Sequence, residues 1–170
     1  MSLFQRLFAP KQDPRDALRP LWHAVVAEAR RPAWYRDGGV ADTVAGRFDM
    51  VCAVLSAVLV RLERSGLVTE TALLTELFVA DMDGQLREMG VGDVVVGKRM
   101  GKLMSAMGGR LDAYRAGLAG GDDALADAIS RNVTFGDESD PDAVAAPLRA
   151  LADRLARTDD AALLAGEIAA

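Results

Sequence analysis

The sequence predicts an all-α fold: a single compact multi-helix domain with a central apolar helix. The first observation is composition, since Ala, Leu, Val, Arg and Asp dominate and aromatic residues make up only 5%, a mixture that favours helix over sheet. The second is spacing, because apolar residues recur at three- and four-residue steps along most of the chain. The third is the shortness of the one strand-like run, Val94-Val95-Val96, which cannot seed a sheet.

The centre of the fold is predicted to be a long helix from about Val44 to Ser65. Its middle, Met50 to Val60, is apolar on almost every side, so it needs cover from several other helices. Gly66 stands in the position where glycine commonly ends a helix. Cys52 lies inside the apolar run and is interpreted as a small core residue.

The other elements are predicted from prolines, glycines and capping residues, which interrupt the helical spacing at regular intervals. In order they are a helix start at Asp13-Pro14, a helix from Pro20 to about Arg30, a loop from Arg31 to Thr43, a helix capped by Thr69 that ends near Met89-Gly90, a helix from Asp93 to about Leu118, a helix from Asp122 or Asp123 to about Asn132, a helix from Asp140-Pro141 to about Arg157, and a short helix after the cap Thr158. The helix after Thr69 is expected to bury Leu73, Leu77, Ala80 and Leu86. Gly97 and Gly101 predict a face that another backbone approaches closely.

Length and residue counts exclude several classes of protein. The chain has 170 residues, of which 51% are apolar and 26% charged, the balance of a soluble globular protein. Its longest apolar run is shorter than the roughly 20 residues of a transmembrane helix. Cys52 and His23 are single residues of their kinds, which excludes a disulfide within the chain and a multi-His or Cys/His zinc site. No catalytic residue, metal ligand or cofactor is predicted.

Residues 1–12 are predicted to be an amphipathic segment that precedes the domain of residues 13–170. Four apolar side chains share one helical face and Arg6 lies elsewhere, so this segment can touch a membrane surface or fold back on the domain. The membrane-facing candidates are Leu3, Phe4, Arg6, Leu7 and Phe8. No secretory signal is recognisable between Met1 and Pro20, which predicts a cytoplasmic protein with peripheral contact at the inner face of the membrane as the further option.

Charge is distributed unevenly around the net value of −5. Residues 1–36 carry seven basic against three acidic side chains, and residues 97–116 carry five against one. Residues 120–170 form an acidic helical part with eleven acidic and four basic side chains. The basic stretches can face an anionic surface or be ordinary solvated helix faces. Without a recognisable nucleic-acid reading motif, no specific nucleic-acid partner is predicted.

Two approximate motifs fail on inspection. Residues 92–98 fit the GxxxxGK of a phosphate-binding loop, but Arg99 follows where Ser or Thr would hold Mg²⁺, and no strand precedes the loop. Asp81, Asp83 and Glu88 do not match a calcium loop, because Gln85 and Leu86 occupy its fifth and sixth positions.

Two stretches of the sequence point to a protein family, which composition alone does not. The first motif, residues 42–49 (DTVAGRFD), and the second motif, residues 81–93 (DMDGQLREMGVGD), closely resemble the ubiquinol–cytochrome c chaperone family. Residues 29–35 (ARRPAWY), 96–100 (VGKRM) and the stretch from Gly109-Arg110 to Tyr114 also fit. The resemblance runs from about Leu21 to Leu118.

The resemblance implies a non-enzymatic, all-α protein without a cofactor. Members of the family look after newly made cytochrome b during assembly of the ubiquinol–cytochrome c reductase complex, and the mitochondrial ones act with a small partner protein near the ribosome exit. Cytochrome b is therefore the expected partner, with the ribosome or a small protein as further ones. The residues carried over are Asp42, Thr43, Gly46, Arg47, Phe48, Asp49, Asp81, Asp83, Arg87, Glu88, Met89, Gly90, Gly92, Asp93, Lys98 and Arg99.

Each of these residues has two interpretations at this stage: contact with the client, or ion pairs and caps that fix the bends between helices. A client with apolar helices and positively charged cytoplasmic flanks would suit an apolar groove with an acidic rim. Asp81, Asp83, Glu88 and Asp93 are the rim candidates. Two rival functions stay open, a helical adaptor for a soluble partner or ribosomal surface, and an enzyme acting on a quinone or lipid with His23 as its titratable group.

Overall fold

The structure, a computed structural model, describes residues 13–88, 93–137 and 140–168, and of residues 93–96, 98 and 99 the backbone only. Within these ranges the chain forms a 3-10 helix and eight α-helices, and its sole β-type contact is an isolated antiparallel bridge between Val40 and Phe135. The all-α prediction is confirmed. The membrane-facing candidates Leu3 to Phe8 lie outside the described residues.

The helices follow the predicted order closely. After the 3-10 helix Pro14–Leu18 come α1 (Arg19–Ala29), α2 (Pro32–Arg36), α3 (Val44–Arg64), α4 (Val68–Glu88), α5 (Asp93–Ala119), α6 (Asp122–Asn132), α7 (Pro141–Arg157) and α8 (Asp160–Leu164). Asp140 caps α7 as predicted, because its carboxylate accepts hydrogen bonds from the N–H groups of Asp142 and Ala143. Gly66 follows α3 with φ +72°, the left-handed conformation that favours glycine.

Three local predictions, of one loop and two helix caps, are wrong. The predicted loop Arg31–Thr43 contains the single-turn helix α2, which Pro32 opens in the first helical position. Helix α4 starts at Val68, so Thr69 lies inside its first turn and is not the cap. Asp159 rather than Thr158 caps α8, since its side chain accepts the N–H of Ala162 at 3.0 Å.

Helix α3 is the centre of the core. Every residue from 49 to 60 is buried, and the helix contacts α1, α4, α5 and α7. Cys52 is fully buried, as expected of a core cysteine. A helix that is apolar on all sides is stable only when neighbours cover it on all sides, and this one has four.

Helix α4 buries a face rotated from the predicted one. Its buried side chains are Leu74, Leu77, Phe78 and Met82, whereas Leu73 and Leu86 are half-buried and Ala80 is exposed. The Phe78 ring decides the rotation, since it packs between the rings of Trp22 at 6.1 Å and Phe48 at 6.3 Å.

The predicted close approach at two glycines of α5 is also wrong. A Cβ atom built on Gly97 or Gly101 would meet nothing within 4 Å, so no backbone of residues 13–88, 93–137 or 140–168 approaches them there. The tight glycine of α5 is Gly117, where a Cβ would come within 3.0 Å of the Leu125 backbone at the turn into α6.

The acidic part of the chain packs on the core through apolar side chains such as Leu125, Leu148 and Leu151, and two arginines add hydrogen bonds to carbonyls at helix ends. Arg149 donates to the carbonyls of Gly117 at 3.0 Å and Gly121 at 3.1 Å, and its Nε lies 2.6 Å from an Asp122 carboxylate oxygen. Arg61 of α3 donates to the carbonyls of Leu155 at 2.8 Å and Thr158 at 2.7 Å. Carbonyls at a helix end have no partner within the helix, so these guanidinium groups satisfy them.

We predict that Arg149→Met lowers the free energy of unfolding by about 2 kcal/mol, because several carbonyls at the end of α5 lose a charged donor. Urea unfolding followed by circular dichroism measures this difference. The matched control is Arg131→Met, since Arg131 is an exposed arginine in the last turn of α6. Equal stability of the two variants would show that the guanidinium group does not hold α5 to α7.

Candidate functional site

The first motif fixes how the chain enters α3. The hydroxyl of Thr43 accepts the N–H of Gly46 at 3.2 Å and caps the helix. A Cβ on Gly46 would lie 2.0 Å from the carbonyl oxygen of Ala41, so only glycine fits this turn. Arg47 donates to Asp42 at 2.6 Å, and this hydrogen bond lowers the pKa of the Asp42 carboxyl.

Asp49 is the buried charge of the first motif. One of its carboxylate oxygens accepts Arg110 Nη2 at 2.6 Å. The other accepts both the backbone N–H of Thr134 at 2.9 Å and the Thr134 hydroxyl at 2.7 Å. These bonds join α3, α5 and the segment after α6. Asp49 therefore stabilises the fold from inside and is out of reach of a client.

The polar contact at Asp49 continues into aromatic packing. The Arg110 guanidinium lies 5.2 Å from the centre of the Phe48 ring, within the range of a cation–π interaction. Cys52 and Tyr114 lie behind it in the core, where burial raises the pKa of the Cys52 thiol to about 12 and also raises that of the Tyr114 hydroxyl. Both groups stay protonated, so this cluster is structural.

The two motifs meet at one groove. Phe48 of the first motif and Met82 of the second line a cavity of about 650 Å³ bordered by α1, α3, α4 and α5. Its other apolar lining residues are Val26, Val44, Ala45, Val51, Leu86 and Leu103. Val44 is 82% exposed, which is unusual for a large apolar side chain beside a cavity. We call this cavity the apolar groove.

The charges around the apolar groove differ from the predicted acidic rim. Asp81 lines the groove and accepts Gln85 Nε2 at 3.1 Å, but Arg30 and Arg47 line it as well. Asp83 lines a second depression beside α5, where it accepts Arg87 at 2.7 Å. The rim is therefore mixed in charge.

The remaining predicted residues divide into two sets. Glu88 is exposed at the end of α4. Met89, Gly90 and Gly92 lie outside the described residues, and so do the side chains of Asp93, Lys98 and Arg99. His23 is exposed on α1 and does not line the apolar groove.

Several residues of the site were not singled out from the sequence. Thr134 contributes through its backbone and hydroxyl after a helix end, and no sequence signal distinguishes it from other loop threonines. Arg110 lies in the quoted stretch after Gly109, but its pairing with Asp49 spans 61 residues. Leu103 lines the groove from α5, whose apolar spacing is broken by glycines.

These features define an all-α protein with an apolar groove whose rim carries both charges. A sequence profile of the ubiquinol–cytochrome C chaperone family matches residues 36–170, and the chain belongs to this family. The matched region includes the acidic part beyond residue 120. The family resemblance therefore extends further toward the C-terminus than the predicted range of residues 21–118. A search of curated proteins finds no match.

A solved structure supports the same assignment. The crystal structure of the Cbp3 homolog from Brucella abortus is similar with a TM-score of 0.78 and 31% sequence identity. The similarity covers 98% of this chain and 95% of the Brucella chain. Across the described residues, no helix is both long and apolar enough to cross a membrane.

We predict that Asp49→Asn lowers the free energy of unfolding by about 2–4 kcal/mol, because it leaves the largely buried Arg110 without its counter-charge. The matched control is Asp42→Asn in the same motif, whose ion pair with Arg47 is exposed and worth little to stability. Chemical denaturation of both variants compares them. If Asp42→Asn destabilised the protein as much as Asp49→Asn, burial of the Asp49 pair would not be the cause.

Proposed function

We propose that the protein is a non-enzymatic assembly chaperone that binds newly made cytochrome b through the apolar groove and promotes assembly of the ubiquinol–cytochrome c reductase complex. The observation that carries the proposal is the meeting of the two motifs at that groove, since Phe48 and Met82 are 34 positions apart in sequence. Family membership supplies the chaperone role, and the groove supplies a place for the client.

The lining of the groove suits an apolar helix. An amphipathic or apolar helix binds a groove through side chains at i, i+3, i+4 and i+7, and a cavity of about 650 Å³ accommodates a few such side chains. Met82 adds a flexible, polarizable side chain, which adapts to differing partners. Asp81 offers a counter-charge to the basic flank that cytoplasmic ends of membrane helices usually carry.

The groove is a poor candidate for the enzymatic alternative. Its ionisable lining residues in the described part of the chain are Arg30, Arg47 and Asp81, so neither a histidine nor a pair of carboxylates lines it. The two groups with strongly raised pKa values, Cys52 and Tyr114, are fully buried in the core.

The adaptor alternative differs in its partner, so client capture distinguishes it from the chaperone. We place the chaperone at the cytoplasmic face of the membrane, where its client is inserted.

We predict that Val44→Asp reduces the cytochrome b that co-purifies with the tagged protein from detergent extracts roughly tenfold or more, because a charge replaces apolar surface at the groove. The matched control is Val68→Asp. Val68 is also a highly exposed valine at the first position of a long helix, but it does not line the groove. Cytochrome b is quantified in both pull-downs by immunoblot.

Three outcomes would contradict the proposal. If the wild-type protein retained no cytochrome b, the chaperone would give way to the adaptor. If both valine variants lost cytochrome b equally, the groove would not be the contact. If only Val68→Asp lost it, the client would bind at the start of α4 instead.

We further predict that the double variant Arg87→Ala, Glu88→Ala retains the helical content of the wild type and captures less cytochrome b. Both side chains are exposed, and the ion pair of Arg87 with Asp83 contributes little to stability. The two residues follow Leu86, which lines the groove, so the second motif would extend the client surface along α4. Circular dichroism checks the fold, and undiminished capture would assign this part of the motif a structural role.

A further inference from the structure

Another cavity adjoins the apolar groove, and three of its six lining residues are arginines. It has a volume of about 550 Å³ and is lined by Arg30, Pro32, Tyr35, Arg36, Asp42 and Arg47. Arg30 and Arg47 line both cavities, so the two are contiguous. We call this cavity the arginine depression.

The arginines of the depression have donors to spare. Arg47 uses Nε for Asp42, and Arg36 uses Nε for Asp37 at 3.2 Å. In the described part of the chain the terminal nitrogens of both side chains make no hydrogen bond, and Arg30 makes no ion pair. Guanidinium groups bind the oxygens of phosphate through pairs of parallel hydrogen bonds, so three of them around one cavity favour a phosphate-bearing ligand.

Surrounding side chains favour a phosphate at a membrane surface over a free one. The depression adjoins the apolar groove, beside which Val44 is 82% exposed. Tyr35 lines the depression, and its hydroxyl donates to the carbonyl of Ala29 at 2.8 Å, which holds the ring in place. Cations, a tyrosine ring and exposed apolar surface side by side are characteristic of proteins that bind at the interface of a bilayer.

We propose that the arginine depression binds the phosphate of an anionic membrane phospholipid, with Arg30, Arg36 and Arg47 as donors. This contact turns the adjoining apolar groove toward the bilayer. It adds a membrane contact to the proposed function but requires no cytochrome b, so the two can fail separately.

The test is flotation with protein-free vesicles made either of phosphatidylcholine alone or of an equal mixture of phosphatidylcholine and phosphatidylglycerol. The variant is Arg30→Gln, Arg36→Gln, which leaves Arg47 of the first motif in place. The matched control is Arg131→Gln, Arg157→Gln, which removes the same charge from two exposed arginines that line neither cavity. We expect the wild type to bind the mixed vesicles, the variant to bind them roughly 30-fold more weakly and the control to bind like the wild type.

Four results would overturn the proposal. The wild type could fail to bind mixed vesicles, or the control could lose as much affinity as the variant, which would indicate a diffuse charge effect. Inorganic phosphate at constant ionic strength could release the protein, which would assign the cavity to free phosphate. The variant could keep vesicle binding and instead lose cytochrome b in the detergent pull-down, which would assign the arginines to a protein contact. Loss of vesicle binding with retained cytochrome b is sought in the single variant Arg36→Gln, because Arg36 lines the depression but not the apolar groove, and that result supports the lipid contact on its own.

Discussion

The structure depends on the buried carboxylate of Asp49. A buried charge is costly unless it is paired and hydrogen-bonded, and here Arg110 and Thr134 saturate both oxygens. The requirement fixes three distant parts of the chain against one another. Because Arg110 also lies over the Phe48 ring, and Phe48 packs on Phe78, the same constraint sets the wall of the apolar groove. A stabilising contact inside the molecule thus shapes the surface that we propose as the client site.

Much of the fold could be predicted from sequence because its signals are local. Asp140 caps a helix with its own side chain, and Gly66 ends one through its own φ angle. The rotation of α4 about its axis could not be predicted, since it is set by the packing of Phe78 against rings from two other helices. Of the four candidates for an acidic rim, Asp81 lines the groove and Asp83 lines another depression, because residues two apart on a helix point about 200° apart.

The candidate site shows the same division. The family resemblance identifies both motifs, but their sequence does not predict that they meet at one groove. That meeting depends on how α3 and α4 cross. Arg30 lies in residues 29–35, which also resemble the family. Its position between the groove and the depression could not be predicted, because it depends on how the helices pack. The two cavities share a wall, so a single surface presents apolar side chains beside arginines. The proposed client contact and the proposed lipid contact would therefore lie side by side on that surface.

The single cysteine of the chain can report on opening of the hydrophobic core. Cys52 lies at 0% exposure in the middle of the central helix, and burial raises its pKa to about 12. The thiolate is the form that attacks alkylating reagents, so the native protein should resist them and each labelled molecule records an opening that uncovers α3. The labelling rate thus measures how often the core opens, and a ligand that separates the helices would raise that rate.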